Sequence, residues 1–374
     1  MGNKKKNIAI VGATGAVGLE ALRALEVHPW FTVTHLYASE RSAGMLLRER
    51  VTDAPAYAAN MKIEPIETDL IPALIPADID VVFSALPAEE AKELEPKYAR
   101  YFGVISTTAA FRYEPDVPIL ITEINPGHAE LLRDQQNKRA WKGWIAPEPN
   151  CTTVGLVMSL KPIYGALGIR RVIMTSYQSV SGGGADKVQK WKEERAKMEE
   201  LPDVLSSELI EKPELVFDGN VITLIPGEEE KVKKETLKIL GKYKNGVIIP
   251  ANFKIDCSCA RVPTYKGHME AVFVETKRSC SVEDVKSIYE KFNEDCRGNF
   301  GNLPASPEKT IYVLDREPQT RYDAGLDNEM ATVIGRIEKG DGNWIKYFVL
   351  SNNLGKGAAK GAIQVMEYLA TLGF

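Results

Sequence analysis

The chain has 374 residues, of which 44% are hydrophobic and 26% are charged, and its formal net charge at pH 7 is −4. This length predicts about two domains, and the composition is typical of a folded globular protein, which argues against long disordered regions. The near balance of positive and negative residues argues against a nucleic-acid partner bound through a basic surface.

The first 150 residues predict strands that alternate with helices. The predicted strands are the apolar runs at 7–11, 31–38, 78–86 and 103–106. The predicted helices are the segments with helical spacing at 19–25 and 88–101. Because alternating strands and helices form parallel sheets with crossover connections, we expect an α/β, Rossmann-type domain over residues 1–150.

Residues 151–351 predict a second, α+β domain with an antiparallel or mixed sheet. Its predicted strands lie at 172–180, 252–262, 269–276, 330–336 and 344–350. A helix over 281–293 begins at the N-cap Ser281, with Glu283 and Asp284 in its first turn. The highly charged stretch 186–239 predicts helix or loop.

The tail at 357–372 is rich in small and apolar residues at helical spacing. It predicts a helix that packs back on the first domain. The domains would then be discontinuous, with 1–150 completed by 352–374, and 151–351 forming the second domain.

Compartment and membrane association can be judged from short segments and from the cysteines. The longest uncharged run, 172–185, is shorter than the roughly 20 apolar residues of a membrane span. The apolar run after the N-terminal Lys residues is too short for a signal peptide. The 5 Cys are scattered and odd in number, which argues against a disulfide framework, and only 4 His are present. We expect a cytoplasmic protein with reduced thiols, no metal and no membrane partner.

A glycine-rich turn lies between the first predicted strand and helix. Gly12, Gly15 and Gly18 allow a tight turn, the approach of backbone N–H groups to a pyrophosphate, and close packing of helix on strand. Thr14, Ala16 and Val17 complete the turn. The helix N-terminus adds partial positive charge. This context predicts a dinucleotide site, with a plain βα turn as the alternative.

The end of the second predicted strand indicates which dinucleotide binds. An NAD site would place an acidic residue there for the ribose 2′-hydroxyl. Ser39, Arg41 and Ser42 could instead hold a 2′-phosphate, Arg41 through a charge-assisted bond. Glu40 must then point away. We expect NADP, with NAD less favoured and a solvated loop as the alternative.

Cys151 precedes an apolar helix in Pro149-Asn-Cys-Thr-Thr153. A helix N-terminus lowers the pKa of a thiol, and its N–H groups can hold an oxyanion. A nucleophilic cysteine also needs a base. His268 follows Gly267 between two predicted strands and is the best placed of the four histidines. The alternative for Cys151 is simple core packing.

Together these motifs make the chain resemble the aspartate-β-semialdehyde dehydrogenase family over essentially its whole length. The matching pieces are Gly12-Ala-Thr-Gly-Ala-Val-Gly18, Ala38-Ser-Glu-Arg-Ser-Ala-Gly44, Pro149-Asn-Cys-Thr-Thr153, Gln178-Ser-Val-Ser-Gly182, Glu228-Glu-Glu-Lys231, Arg261-Val-Pro to Gly267-His268 and Lys356-Gly-Ala-Ala359. The stretch around Arg41 and the segment starting at Asp116 resemble the archaeal and fungal branch.

The resemblance implies reduction of L-4-aspartyl phosphate by NADPH to aspartate semialdehyde and phosphate, on the route to lysine, threonine, methionine and isoleucine. It implies that Cys151 forms a thioacyl enzyme, that His268 acts as acid and base, and that Gln178 orients the substrate. It also implies a homodimer or homotetramer, with the second domain as the interface.

Further residues receive roles from the resemblance. Arg261 would bind the substrate α-carboxylate, a task that suits the guanidinium fork, and Glu228 its amino group. The implied phosphate ligands are Arg112 and Lys231, assisted by Asn150. The implied cofactor contacts include Ser181, Gly182 and Asn353. Without the resemblance, Glu228 and Lys231 would be interpreted as part of an ordinary solvated helix face.

Two enzyme relatives and one protein of another class are the alternatives. A malonyl-CoA reductase would use the same Cys and His. It should lack the acidic residue that binds a substrate amino group and tends to replace the Asn before the Cys, so Glu228 and Asn150 argue against it. In N-acetylglutamyl-phosphate reductase the nucleophile follows Gly and precedes Tyr. An inactive NADP-sensing regulator would have lost the nucleophile or the base. The charged stretch 183–214 and Lys360 depart from the family pattern.

Overall fold

Two six-stranded sheets organise the parts of the chain that this computed structural model describes, residues 5–66, 78–197 and 216–374. The strands of the first sheet are β1 Lys6–Val11, β2 Phe31–Ala38, β3 Ile63–Pro65, β4 Val81–Ser84, β5 Gly103–Ser106 and β6 Trp144–Pro147. Their order is β3-β2-β1-β4-β5-β6, and neighbours run parallel. This is the Rossmann order, whose ligand crevice lies where the order reverses, beyond the carboxyl ends of β1 and β4.

Helices cover both faces of this sheet and include the end of the chain. They are α1 Ala16–Leu25, α2 Ala88–Ala99 and α3 Glu130–Arg139, with a single helical turn at Leu47–Arg50. The final helix, Lys360–Thr371, shares a buried core with α1 and β1 through Leu22, Ile8, Ile10, Ile363 and Met366. The C-terminal segment therefore packs on the first domain.

The second sheet is mixed. Its strands are β7 Ile169–Gln178, β10 Lys254–Arg261, β11 His268–Thr276, β12 Ile311–Leu314, β13 Thr332–Lys339 and β14 Trp344–Ser351. The order is β10-β7-β11-β14-β13-β12, in which β10–β7 and β12–β13 are parallel and the other pairs antiparallel. A separate hairpin joins β8 Lys242–Lys244 to β9 Val247–Ile249. The predicted α/β class with a Rossmann-type domain and a mixed second sheet is confirmed.

Three helices, α4 Cys151–Leu167, α6 Glu228–Ile239 and α7 Val282–Phe300, cover one face of the second sheet and leave most of the other open, with Ala324 and Leu326 covering one end of that open face. Helix α5 Ala185–Ala196 packs instead with Val180 and Phe217, and the final helix is α8. Residues of α4, α6 and α7 share one apolar core with the sheet. On the open face Phe273 of β11 pairs with Ile173 of β7, and these side chains are 43% and 42% exposed.

Some element boundaries differ from the sequence prediction. Helix α7 runs past Asn293, because that side chain is buried and bonds both backbone groups of Ile311 at the start of β12. The predicted helix 357–372 begins at Lys360, because Gly355–Ala359 form a wider turn with a non-helical Ala358. The charged stretch 186–239 contains α5 and α6, and its residues 198–215 lie outside the described part. In residues 5–66, 78–197 and 216–374, no helix is both long and apolar enough to cross a bilayer.

Candidate active site

The glycine turn between β1 and α1 has the shape of a phosphate cradle. Gly12 has a φ of +86°, and a Cβ there would lie 2.5 Å from the carbonyl oxygen of Ala85. Gly15 is the N-cap of α1 and offers no side chain to the first-turn N–H groups, and no acidic residue lies in that turn. Uncapped N–H groups at a helix N-terminus bind phosphate well. The residues present therefore fit a dinucleotide pyrophosphate.

The turn after β2 contains the residues predicted to bind a 2′-phosphate. Ser39 and Arg41 are exposed, whereas Ser42 is buried and its Oγ accepts a hydrogen bond from Arg50 Nε at 3.1 Å. Arg50 is thus a second cation beside this turn. Sequence reasoning missed it, because it lies eight residues further along the chain, beyond the motif.

Helix α4 begins at Cys151 because Asn150 caps it. The Oδ1 atom of Asn150 accepts hydrogen bonds from the N–H groups of Thr152 and Thr153 at 2.9 and 3.2 Å. The Cys151 Sγ lies 3.3 Å from Nε2 of His268, the first residue of β11. A Cβ at Gly357 would lie 3.2 Å from the Cβ of Cys151, and α1 packs on the turn that contains Gly357. The glycine turn and the cysteine are therefore close neighbours in the fold.

His268 is oriented by Ser179. The Ser179 backbone N–H donates to Nδ1 at 3.2 Å, and the Ser179 Oγ lies at the same distance. A backbone N–H can only donate, so Nδ1 is the acceptor and the neutral ring carries its hydrogen on Nε2, an assignment from the hydrogen bonds. His268 therefore presents a donor to the sulfur.

Cys151 and His268 are both neutral near pH 7. Burial raises the pKa of the Cys151 thiol to about 12, and Glu228 adds to the rise. Burial, and then the charge of Arg261, lowers the pKa of His268 to about 3. The helix N–H group of Thr152 and the cations Arg112 and Arg261 do lower the thiol pKa, but loss of water around the sulfur outweighs them, so the expectation of a net lowered pKa is wrong.

We expect the rate of Cys151 alkylation by iodoacetamide to rise about tenfold per pH unit from pH 7 to 10, because only the thiolate reacts and its pKa lies above this range. Peptide mass spectrometry after short exposures measures this residue separately from the other cysteines. A plateau near pH 7 would contradict the raised pKa. Cys151→Ser is the control for modification at other sites.

Glu228 lies at the start of α6 and points into the site. Its Oε1 accepts hydrogen bonds from Asn150 Nδ2 at 2.9 Å, Gln178 Nε2 at 3.1 Å and Thr152 Oγ1 at 3.2 Å. Lys231 Nζ lies 3.8 Å from Glu228 Oε2. Glu228 is buried, so the interpretation of this residue as part of a solvated helix face is wrong.

Glu235, seven residues after Glu228 and on the same helix face, was missed by sequence reasoning. Its Oε2 accepts the backbone N–H of Asn150 at 2.6 Å, and its Oε1 accepts from Arg112 Nη1 and from the Tyr113 hydroxyl, both at 3.2 Å. Arg112 Nε also donates to the Glu148 carbonyl at 2.6 Å. Helix α6 thus holds the N-cap of α4 and orients Arg112. The i, i+7 spacing of the two glutamates was the available signal.

Arg261 ends β10 and is buried beside His268. Its Nη1 donates to the Ser179 carbonyl at 2.6 Å. A Cβ at Gly182 would lie 2.8 Å from His268 Cε1 and 3.2 Å from Arg261 Nη1, so only glycine fits between these side chains.

Asn353 links the loops around the histidine. Its Oδ1 accepts from the Gly267 N–H at 2.9 Å and from Ser179 Oγ at 3.1 Å, and its Nδ2 donates to Ser181 Oγ at 3.0 Å. The structure thus brings the predicted residues of the second domain into one site. Within the described ranges, no group of three or more His, Cys, Asp or Glu side chains is arranged to hold a metal.

Two family models match the chain. The model of the semialdehyde dehydrogenase NAD-binding domain matches residues 7–132, and that of the semialdehyde dehydrogenase dimerisation domain matches residues 160–356. An aspartate-semialdehyde dehydrogenase from Methanothermobacter thermautotrophicus is 38% identical, over 97% of this chain and 98% of that protein. One from Archaeoglobus fulgidus is 39% identical, over 97% of each.

Two further similarities bear on the reaction. A malonyl-CoA reductase (NADP) from Metallosphaera sedula is 32% identical, over 98% of this chain and 97% of that protein. The crystal structure of aspartate-semialdehyde dehydrogenase with NADP from Candida albicans superposes with a TM-score of 0.80 at 28% identity, covering 98% of this chain and 99% of that one.

Proposed function

Because the chain belongs to the semialdehyde dehydrogenase family, we propose that it is an NADP-dependent aspartate-semialdehyde dehydrogenase that reduces L-4-aspartyl phosphate to the semialdehyde and phosphate. The observation that carries this proposal is that the Cys151–His268 pair lies beside a buried carboxylate, Glu228, and a buried guanidinium, Arg261. An α-amino acid offers one cation and one anion, and these two side chains match them.

Cys151 would perform covalent catalysis. Its sulfur attacks the acyl carbon, the bond to phosphate breaks, and the thiol proton leaves with the departing phosphate. The hydrogen on His268 Nε2 stabilises negative charge on this sulfur as the thioester forms and breaks. When bound, NADPH supplies the hydride that makes the acyl group an aldehyde. This step releases the Cys151 thiolate, which takes a proton from solvent beside His268.

Charged side chains would orient the two ends of the substrate. Arg261 binds the α-carboxylate, for which a guanidinium fork is well shaped, and Glu228 binds the amino group while Gln178 holds its carboxylate in place. Arg112, fixed by Glu235, and Lys231 bind the phosphate near Asn150. These roles follow the family pattern and are consistent with the burial and contacts described above.

The test is NADP reduction by L-aspartate semialdehyde with and without inorganic phosphate, followed at 340 nm. We expect turnover that requires phosphate. The related malonyl-CoA reductase makes a CoA-thioester reductase the second candidate. Oxidation of NADPH by malonyl-CoA, without activity on the semialdehyde, would establish that candidate and remove the roles proposed for Glu228 and Arg112.

We expect Arg41→Ala to weaken NADPH binding by roughly tenfold or more and to leave NADH binding almost unchanged, because only NADPH has a 2′-phosphate for a charge-assisted bond. The KM values for both cofactors measure this. Arg48→Ala, an exposed arginine on the next helical turn, is the matched control. Equal losses for the two cofactors would show that Arg41 does not bind the 2′-phosphate, and Arg50 would be the next residue to test.

We further propose a homo-oligomer, a dimer or a tetramer, assembled through the open face of the second sheet. The match to a dimerisation domain and the exposed Phe273–Ile173 pair support this interface. Phe273→Asp is expected to reduce the mass in light scattering to that of one 41.4 kDa chain. Val27→Asp, a change at a residue 89% exposed on the first domain, is the control. An unchanged mass for Phe273→Asp would exclude this face.

All five cysteines are unpaired, which supports a reducing, cytoplasmic location. The proposed reaction would serve the synthesis of lysine, threonine, methionine and isoleucine. Growth of a host strain that lacks its own aspartate-semialdehyde dehydrogenase, without these amino acids, tests that role.

A further inference from the structure

Two thiols outside the proposed reaction lie side by side on β10. Cys257 and Cys259 are two residues apart on this edge strand, and they face α6. Their partners across the register, Met174 and Ser176 of β7, are buried on the same face. Cys259 is buried, whereas Cys257 keeps partial solvent access. A small oxidant can therefore reach one thiol, and the second lies within reach of the first.

Both cysteines contact the first turn of α6. The Cys257 thiol donates to the Glu229 carbonyl at 3.5 Å, and the backbone N–H of Cys259 donates to Glu229 Oε1 at 3.2 Å. Glu229 follows the buried Glu228, and Arg261 lies two residues beyond Cys259 on the same strand face. The thiol pair thus connects the two side chains proposed to hold the amino acid.

The contact between the thiols makes them unequal. The hydrogen bond from Cys259, helped by the nearby charge of Lys233, lowers the pKa of Cys257, and the same bond raises the pKa of Cys259. A partly exposed thiol with a lowered pKa near a cation is the kind that reacts with peroxides, and a neighbouring thiol can resolve the product.

We propose that Cys257 and Cys259 form a peroxide-sensitive dithiol whose oxidation weakens binding of the aspartyl substrate. The Cys257 thiolate attacks hydrogen peroxide, an S–O bond forms, the O–O bond breaks, and hydroxide leaves and becomes water. The Cys259 sulfur, losing its proton, then attacks the Cys257 sulfur. The S–S bond forms, the S–O bond breaks, and the second water leaves. Two thiols are oxidised by two electrons, and one peroxide is reduced to two waters.

The effect on binding follows from strand geometry. Alternate residues of a strand are about 6.5 Å apart at both Cα and Cβ, whereas a disulfide holds its two Cβ atoms at about 4 Å. The bond therefore draws the backbone of β10 together and disturbs the contacts with Glu229. Arg261 and Glu228 move as a consequence. A bond of this kind is easily reduced by cellular thiols, so the change is reversible.

The experiment uses the full-length Cys151→Ser protein, in which the proposed nucleophile cannot be oxidised. After hydrogen peroxide, we expect the peptide with Cys257 and Cys259 to lose two hydrogens in mass and to regain them with dithiothreitol. Calorimetry with L-aspartate semialdehyde should show about fivefold or weaker binding after oxidation, restored by reduction, with NADP binding unchanged. Adding Cys257→Ser should remove both effects, and adding Cys280→Ser should remove neither.

The inference rests on the proposed function only for its consequence. Absence of the oxidised peptide, or an oxidised peptide with unchanged substrate affinity, would overturn it. If the reduced protein does not bind the semialdehyde, the proposed function fails instead. In that case the mass of the peptide with Cys257 and Cys259 still shows whether the disulfide forms. The affinity for malonyl-CoA, measured before and after oxidation, then shows whether the disulfide weakens substrate binding.

Discussion

Cys151→Ala is expected to reduce kcat for phosphate-dependent NADP reduction by on the order of 10³-fold or more, because it removes the only covalent route of the proposed reaction. Asn150 caps α4 through its own side chain, so the helix and the pocket around position 151 should persist in the variant. NADP binding should be unchanged, which separates loss of chemistry from loss of fold.

The measurement compares steady-state rates with and without phosphate. Cys280→Ser is the control, since it removes a buried thiol that lies beyond the far end of β11 from His268, and it should leave kcat near that of the unchanged protein. Near-normal turnover of Cys151→Ala would show that another residue, or direct hydride transfer without a thioester, performs the reaction.

His268→Ala is expected to reduce kcat by about 10² to 10⁴-fold, the usual contribution of a positioned proton donor or acceptor. Nε2 carries the hydrogen in the neutral ring and lies 3.3 Å from the sulfur, so the change removes the group that stabilises the thiolate. His268→Gln keeps an N–H donor in this region and should retain more activity than His268→Ala.

A second histidine provides the control for this prediction. His128 is also buried, but it is bonded to Asn125 and to the Gly241 carbonyl, and neither group belongs to the site. His128→Gln should therefore change kcat little. A loss below about tenfold for His268→Ala would show that the Nε2 hydrogen does not stabilise the Cys151 thiolate in the reaction.

The strands and the glycine turn could be predicted because their signals are local. Apolar runs bounded by glycine and polar residues identified β1, β2, β4 and β5, and Ser281 caps α7 as its sequence indicates. Strands β3, β6 and β12 were not predicted; each has three or four residues, and unlike the equally short β4 and β5 they do not flank the predicted helix at 88–101. Periodicity needs longer segments than these.

The nucleophile and its histidine could be proposed from motifs, but the environment of the site could not. Glu228 and Glu235 lie in a run of charged residues that looks solvated, and only the docking of α6 against α4 buries them. The raised pKa of Cys151 has the same origin. The helix N-terminus is visible in the sequence, but the loss of water around the sulfur depends on β11, α6 and the turn at Gly357, which come from distant parts of the chain.

The shared core of β1, α1 and α8 has a consequence for protein synthesis. The first strand leaves the ribosome more than 300 residues before the helix that completes its packing. Domains often fold in turn from the N-terminus, but here Ile8, Ile10 and Leu22 stay without their final partners until translation nears its end. For that period we expect the nascent domain to expose apolar surface of the kind that chaperones bind. A stop codon before α8 would leave that surface uncovered for good.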